Sequence, residues 1–99
     1  MKFRLEAPGE RAARGALEAA FARVDLDAAT SHALALAQIL ASAHREVAAI
    51  GELEYAVAWI MARGATSTRR APLLGALARL YERVGDTRRA ARTWDAVPR

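Results

Sequence analysis

Ala71–Arg99 reads APLLGALARLYERVGDTRRAARTWDAVPR. Leu74, Leu77, Ala78 and Tyr81 recur at steps of three and four, the spacing of one helical face. Pro72 suits the first turn of that helix, because proline has no N–H to donate there. Gly85-Asp86 then turns the chain. Asp86 or Thr87 can cap a second helix that runs to about Val97, with Pro98 beyond it. The stretch predicts two short amphipathic helices folded back on one turn. A hairpin of this kind cannot bury its own apolar face, so the upstream chain must pack against it.

Upstream, residues 1–8 are an irregular arm, followed by Gly9. Residues 10–24 read as a helix with Ala13, Ala16, Leu17, Ala20, Phe21 and Val24 on one face. Asp27 is the expected N-cap of a long helix over 28–50, apolar on more than one side and therefore central. Gly51 is read as its C-cap, and residues 52–63 as a shorter helix closed by Gly64. Residues 65–70, ATSTRR, are the one clear loop. Alanine dominates an apolar content of 54%, and strand formers are sparse. The fold class is all-α: one domain of antiparallel helical hairpins with an N-terminal packing helix.

Gly51 and Gly85 are 34 residues apart. That period makes self-similarity worth testing. The shift pairs Leu40 with Leu74, Val47 with Tyr81, Glu52 with Asp86, Ala56 with Ala90 and Ile60 with Trp94. The spacing of Leu74, Leu77, Ala78, Tyr81, Gly85, Asp86, Ala90 and Trp94 resembles the tetratricopeptide (TPR) repeat. The resemblance implies about two stacked hairpins: a degenerate copy over 28–64, with His44 at a close-packing position, and a better copy over 71–97. It also implies a concave groove lined by the first helix of each hairpin, with Arg45, Arg79 and Arg83 forming a basic stripe for acidic side chains.

Several chemistries have no support in the residues. There is no cysteine, so thiolate metal sites and disulfides are excluded. His32 and His44 lie about 18 Å apart along one predicted helix, too far to share a metal. No Gly-rich phosphate loop occurs, and neighbouring Ser31 and His32 point in different directions on a helix. The expectation is a protein that is not an enzyme and needs no cofactor or metal. No run approaches the length of a membrane helix, and a cytoplasmic protein is expected.

The net charge of +4 rests almost wholly on arginine. Arg69, Arg70, Arg88, Arg89 and Arg92 make a second basic group able to touch phosphate, with Trp94 and Tyr81 expected in the core rather than free to stack on bases. Tyr55 and Trp59 fall beside the inward face of their helix, where they either mark an interface or pack under the N-terminal helix. Leu73, Leu80, Ala91 and Val97 are expected to leave an apolar edge on the last hairpin, to be covered by self-association, most simply as a dimer, or by a partner. The residues therefore point to a protein-binding or scaffolding module, with a nucleic-acid-associated protein as the alternative.

Overall fold

The computed structural model describes residues 6–98, so part of the N-terminal arm, residues 1–5, lies outside the described residues. Five helices follow in order: α1 (Glu10–Ala22), α2 (Leu26–Ser42), α3 (Glu46–Ala62), α4 (Ser67–Arg83) and α5 (Thr87–Asp95). Each packs on its neighbour in sequence, and α2 also packs on α4. The helices therefore zigzag between two layers, with α2 and α4 in one and α1, α3 and α5 in the other. The extents are 47 × 35 × 16 Å, and the shortest is about what two stacked helices require. Because α2 and α4 touch while α1, α3 and α5 stand farther apart, the layers bend with α2 and α4 on the inner side.

Four turns join the helices, and all four have the same form. Each closes with an N–H that reaches back five residues to a helix carbonyl: Asp25 to Ala20, Arg45 to Leu40, Ala65 to Ile60 and Asp86 to Tyr81. Each holds one residue at positive φ immediately before that N–H: Val24 (54°), His44 (61°), Gly64 (82°) and Gly85 (83°). This is the Schellman ending, in which a left-handed residue lets orphan carbonyls of the last turn find donors. Glycine takes that conformation without steric cost. Valine and histidine do not; the first turn is still marked by Asp25 and Asp27, residues of capping type, whereas nothing in the local sequence flags the second.

The turns correct several readings. Residues 28–50 are not one helix: the chain turns at Ala43–Arg45. Gly51 is not a cap but an exposed interior residue of α3. Asp25, not Asp27, caps α2, its carboxylate accepting the Ala28 N–H at 3.0 Å. The supposed loop over 65–70 is mostly helix, since Thr66 caps α4 at the Arg69 N–H, which leaves Pro72 inside α4 rather than in its first turn. The carbonyl that Pro72 leaves without its helical donor is that of Thr68, an exposed residue. α1 and α5 each end two residues earlier than expected.

The repeat register changes with the turns. His44 and Gly85, the two left-handed residues that follow α2 and α4, are 41 residues apart, and so are the caps Asp25 and Thr66. A shift of 41 pairs Ala33 with Leu74, Leu36 with Leu77, Ala37 with Ala78, Leu40 with Tyr81 and Ala49 with Ala90, and all ten residues are buried. The shift of 34 instead pairs the buried Tyr81 with Val47, which is 77% exposed. His44 is likewise exposed on its turn and not at a close-packing position. The core is built from leucines of α2, α3 and α4 with alanines where helices approach most closely; Ala20, Ala29, Ala33, Ala49, Ala56 and Ala78 are all fully covered.

A charged bolt fixes α1. Glu10 is buried, and its carboxylate accepts the Ala7 N–H at 3.0 Å and Arg45 at 2.6 Å. Arg14 bridges Glu10 at 3.4 Å to Glu52 of α3 at 2.6 Å. The Ala7 N–H first, and then Arg45, hold the Glu10 carboxyl below its ordinary value of 4.5. A depressed folded-state value means the stabilisation is complete above about pH 4.5 and fades as pH falls through the lower folded value. Glu10→Gln should therefore lower the urea midpoint at pH 7, and the gap from wild type should narrow as the pH falls below the ordinary carboxylate range. A gap that does not change as the pH falls would mean that the charge contributes nothing.

Candidate binding groove

The inner side of the bend carries a groove of about 460 Å³ between α2 and α4. Leu34, Ala37 and Ala41 of α2 and Ala76 and Leu80 of α4 form its apolar walls, with Leu53 of α3 beneath. Gln38 and Ser42 edge it on one side, Arg79 and Arg83 on the other. The two arginines are four apart on α4 and so project from one face. Arg83 donates to Glu46 at 2.9 Å and is half exposed. Arg79 pairs with no carboxylate among the described residues; its guanidinium lies 5.7 Å above the Trp94 ring. A guanidinium in that position keeps its N–H fork available to a carboxylate.

Arg45 does not belong to this groove. It stands on the α2–α3 turn as the N-cap residue of α3, and its side chain is spent on Glu10. The 34-residue register had set it beside Arg79; the 41-residue register sets it beside Asp86, at a turn.

Trp94 is the residue that sequence reasoning misplaced most. It is 37% exposed, its indole N–H donates to Glu82 at 2.9 Å, and its ring lies over Gly75. It lies at the edge of the α4–α5 hairpin, beside Gly75, Arg79 and Glu82 of α4, rather than filling the core. The amphipathic pattern of α5 does not distinguish a core tryptophan from one at an open edge. Trp59 takes the opposite course. It is buried, with its ring 4.7 Å from Phe21 of α1 and under the Arg63 guanidinium at 4.0 Å. Trp59 thus packs under α1, the second of the two places its sequence allowed. Tyr55 is 61% exposed, with its ring edge toward Phe21 at 5.5 Å.

Leu73 and Leu80 also differ from expectation. Both are buried within the α2–α3–α4 packing and form no open edge, whereas Ala91 is exposed. Tyr81 is buried as expected, and its hydroxyl donates to Glu54 of α3. Burial first, and the bond to the Glu54 carboxylate second, push the phenol up to about 12.

The second basic group splits. Arg69 is tied to Asp27 at the start of α2 at 2.7 Å, locking α4 to α2. Arg89 leans on Asp86 at 3.6 Å. Arg88 and Arg92 are exposed and pair with no carboxylate among the described residues, and Arg70 is half-buried at the start of α4. Arg89 and Arg92 flank a shallow apolar recess floored by Leu74 and Tyr81.

No cluster of three or more histidine, aspartate or glutamate side chains suited to a metal occurs among the described residues, and no helix there is long and apolar enough to cross a membrane. Comparison with family models, curated proteins and solved structures gave no significant match.

Proposed function

We propose that this protein is a TPR-like stacked helical-hairpin adaptor, without catalysis or cofactor, that docks an acidic peptide or helix of a partner protein between α2 and α4. The observation that carries this reading is Arg79. It stands at the lip of an apolar groove with no carboxylate of its own among the described residues, and Arg83 stands one turn away with half its surface open. An apolar floor supplies contact area, and two guanidiniums supply register and charge selection. The residues that carry it are Arg79 and Arg83, with Leu34, Ala37 and Leu80 beneath.

The test is a titration of the isotope-labelled protein with a synthetic leucine–glutamate amphipathic peptide, followed by amide chemical shifts. Shifts should concentrate on α2 and α4 around the groove. Arg79→Glu with Arg83→Glu should weaken binding by roughly tenfold or more, since like charges then face the ligand. A leucine–lysine peptide should not bind. Absence of shifts, or shifts confined to α5, would overturn the reading.

Shifts on α5 with an oligonucleotide would favour a second reading, a nucleic-acid-associated protein. Trp94 supports it: an exposed ring now stands on the same helix as Arg88 and Arg92. Binding of that kind must weaken steeply with salt.

A further inference from the structure

We infer that Trp94 of α5 is a positioning residue of the groove: it holds the Arg79 guanidinium open at the lip, so that selection of acidic partners by α4 depends on α5. The inference rests on the reading of the α2–α4 groove as a site for carboxylates. It starts from a line of residues on α4. Gly75, Arg79 and Glu82 follow one another at steps of four and three and so share a face. Trp94 meets all three. Its ring lies over Gly75, its indole N–H donates to Glu82 at 2.9 Å, and the Arg79 guanidinium stands 5.7 Å from the ring centroid.

Those contacts decide what Arg79 does. Glu82 lies three residues from Arg79 on the helix, near enough for an ion pair. Its carboxylate accepts the indole N–H instead. Trp94 therefore acts twice: it engages the nearest competing carboxylate, and it offers its π face to the guanidinium. A guanidinium backed by a ring keeps its in-plane N–H fork for an outside carboxylate. Arg83, by contrast, is already paired with Glu46 at 2.9 Å. Arg79 is thus the primary anchor of the groove and Arg83 the secondary one.

The 41-residue register shows that the cation–ring pair is particular to the second unit. The shift sets Trp94 on Leu53 and Arg79 on Gln38, and both earlier residues line the groove. Leucine has no ring face and glutamine no charge, so ring and cation are present together in one unit and absent together in the other. Leu53 is fully buried, because α4 follows α3 and packs on it. No helix follows α5 among the described residues, and Trp94 is left 37% exposed with its ring free to back a cation.

Trp94→Leu tests this with little threat to the fold, because leucine is the residue that the equivalent place on α3 holds. The probe is the same leucine–glutamate peptide, titrated against the wild type, Trp94→Leu, Arg79→Gln and the double variant. Trp94→Leu should weaken binding by roughly three- to fivefold where Arg79 is present and leave it unchanged in the Arg79→Gln background. Equal losses in both backgrounds would overturn the inference, since Trp94 would then act only through the packing of α5. A second readout needs no ligand. The Arg79 Nε–H resonance of the free protein should carry a ring-current shift that Trp94→Leu abolishes. A resonance that does not move would mean that Trp94 does not hold the guanidinium, and would overturn the inference whatever the peptide does. A wild type that fails to bind the peptide removes the groove reading and the inference with it, whereas wild-type binding that Trp94→Leu leaves intact removes the inference and spares the groove.

Discussion

Leu40→Ala is expected to cost about 3–4 kcal/mol in urea unfolding, and Val47→Ala less than about 0.5 kcal/mol. Leu40 is fully buried near the end of α2, and its carbonyl accepts the Arg45 N–H that closes the α2–α3 turn. Truncation there removes three carbons from a site walled by helices on several sides, where collapse is hard and the cavity stays open. Val47 sits just past the turn and is 77% exposed, so its truncation removes little contact. The comparison separates the two repeat registers directly. Under the 34-residue shift, Val47 takes the place of Tyr81 and should be the costly deletion; under the 41-residue shift, Leu40 takes it. Native domains hold only about 5–15 kcal/mol in total, so the Leu40 loss should be a large share of what this chain has. Equal midpoint shifts for the two variants, with unchanged m-values, would contradict the 41-residue register.

That contrast shows which parts of the fold the sequence made legible. The α4–α5 hairpin was readable because Gly85 and Asp86 carry their own chemistry: a residue free to take positive φ, then a side-chain cap whose carboxylate accepts the Arg89 N–H at 3.1 Å. The α2–α3 turn has neither signal in the usual place. His44 takes the left-handed conformation, and Arg45 caps with no side-chain hydrogen bond. Apolar residues continue through it on both sides, and seven positions later Gly51 offers a false stop. Glycine inside a helix costs about 1 kcal/mol relative to alanine, which is affordable on the exposed side of a helix buried elsewhere along its length. One misread glycine then shifted the period from 41 to 34.

The groove was only partly legible for the same reason. Arg79 and Arg83 were correctly set on the first helix of their hairpin, because that hairpin was correctly bounded. Arg45 was carried to the groove by the wrong shift and lies at a turn, bonded to Glu10. Its partner is 35 residues away, and no local pattern announces a pair between the start of α1 and the α2–α3 turn. Trp59 and Trp94 exchanged roles because amphipathic position tells which side of a helix is apolar, not whether another element covers it. Trp59 is covered by Phe21 of α1; Trp94 meets only its own hairpin partner, through Gly75, Arg79 and Glu82 of α4.

Ala49→Leu should destabilise the protein by about 2–3 kcal/mol through overpacking, and Ala90→Leu by about 1 kcal/mol or less. The two alanines are equivalent, each four residues past the cap of the returning helix, where the backbones of a hairpin are closest. Ala49 is fully covered at the start of α3, a 17-residue helix held by α2 on one side and α4 on the other. Leucine there has to push α2 and α3 apart, and the displacement is resisted along the whole stack because interiors are close-packed. Ala90 is 3% exposed, but α5 has nine residues and packs on α4 alone. It can tilt outward at little cost. The ratio of the two penalties therefore measures how firmly each hairpin is clamped by its neighbours, which the size of the introduced side chain, equal in both, cannot explain. Chemical denaturation of both variants reads that difference, and equal penalties would mean that α5 is held as firmly as α3.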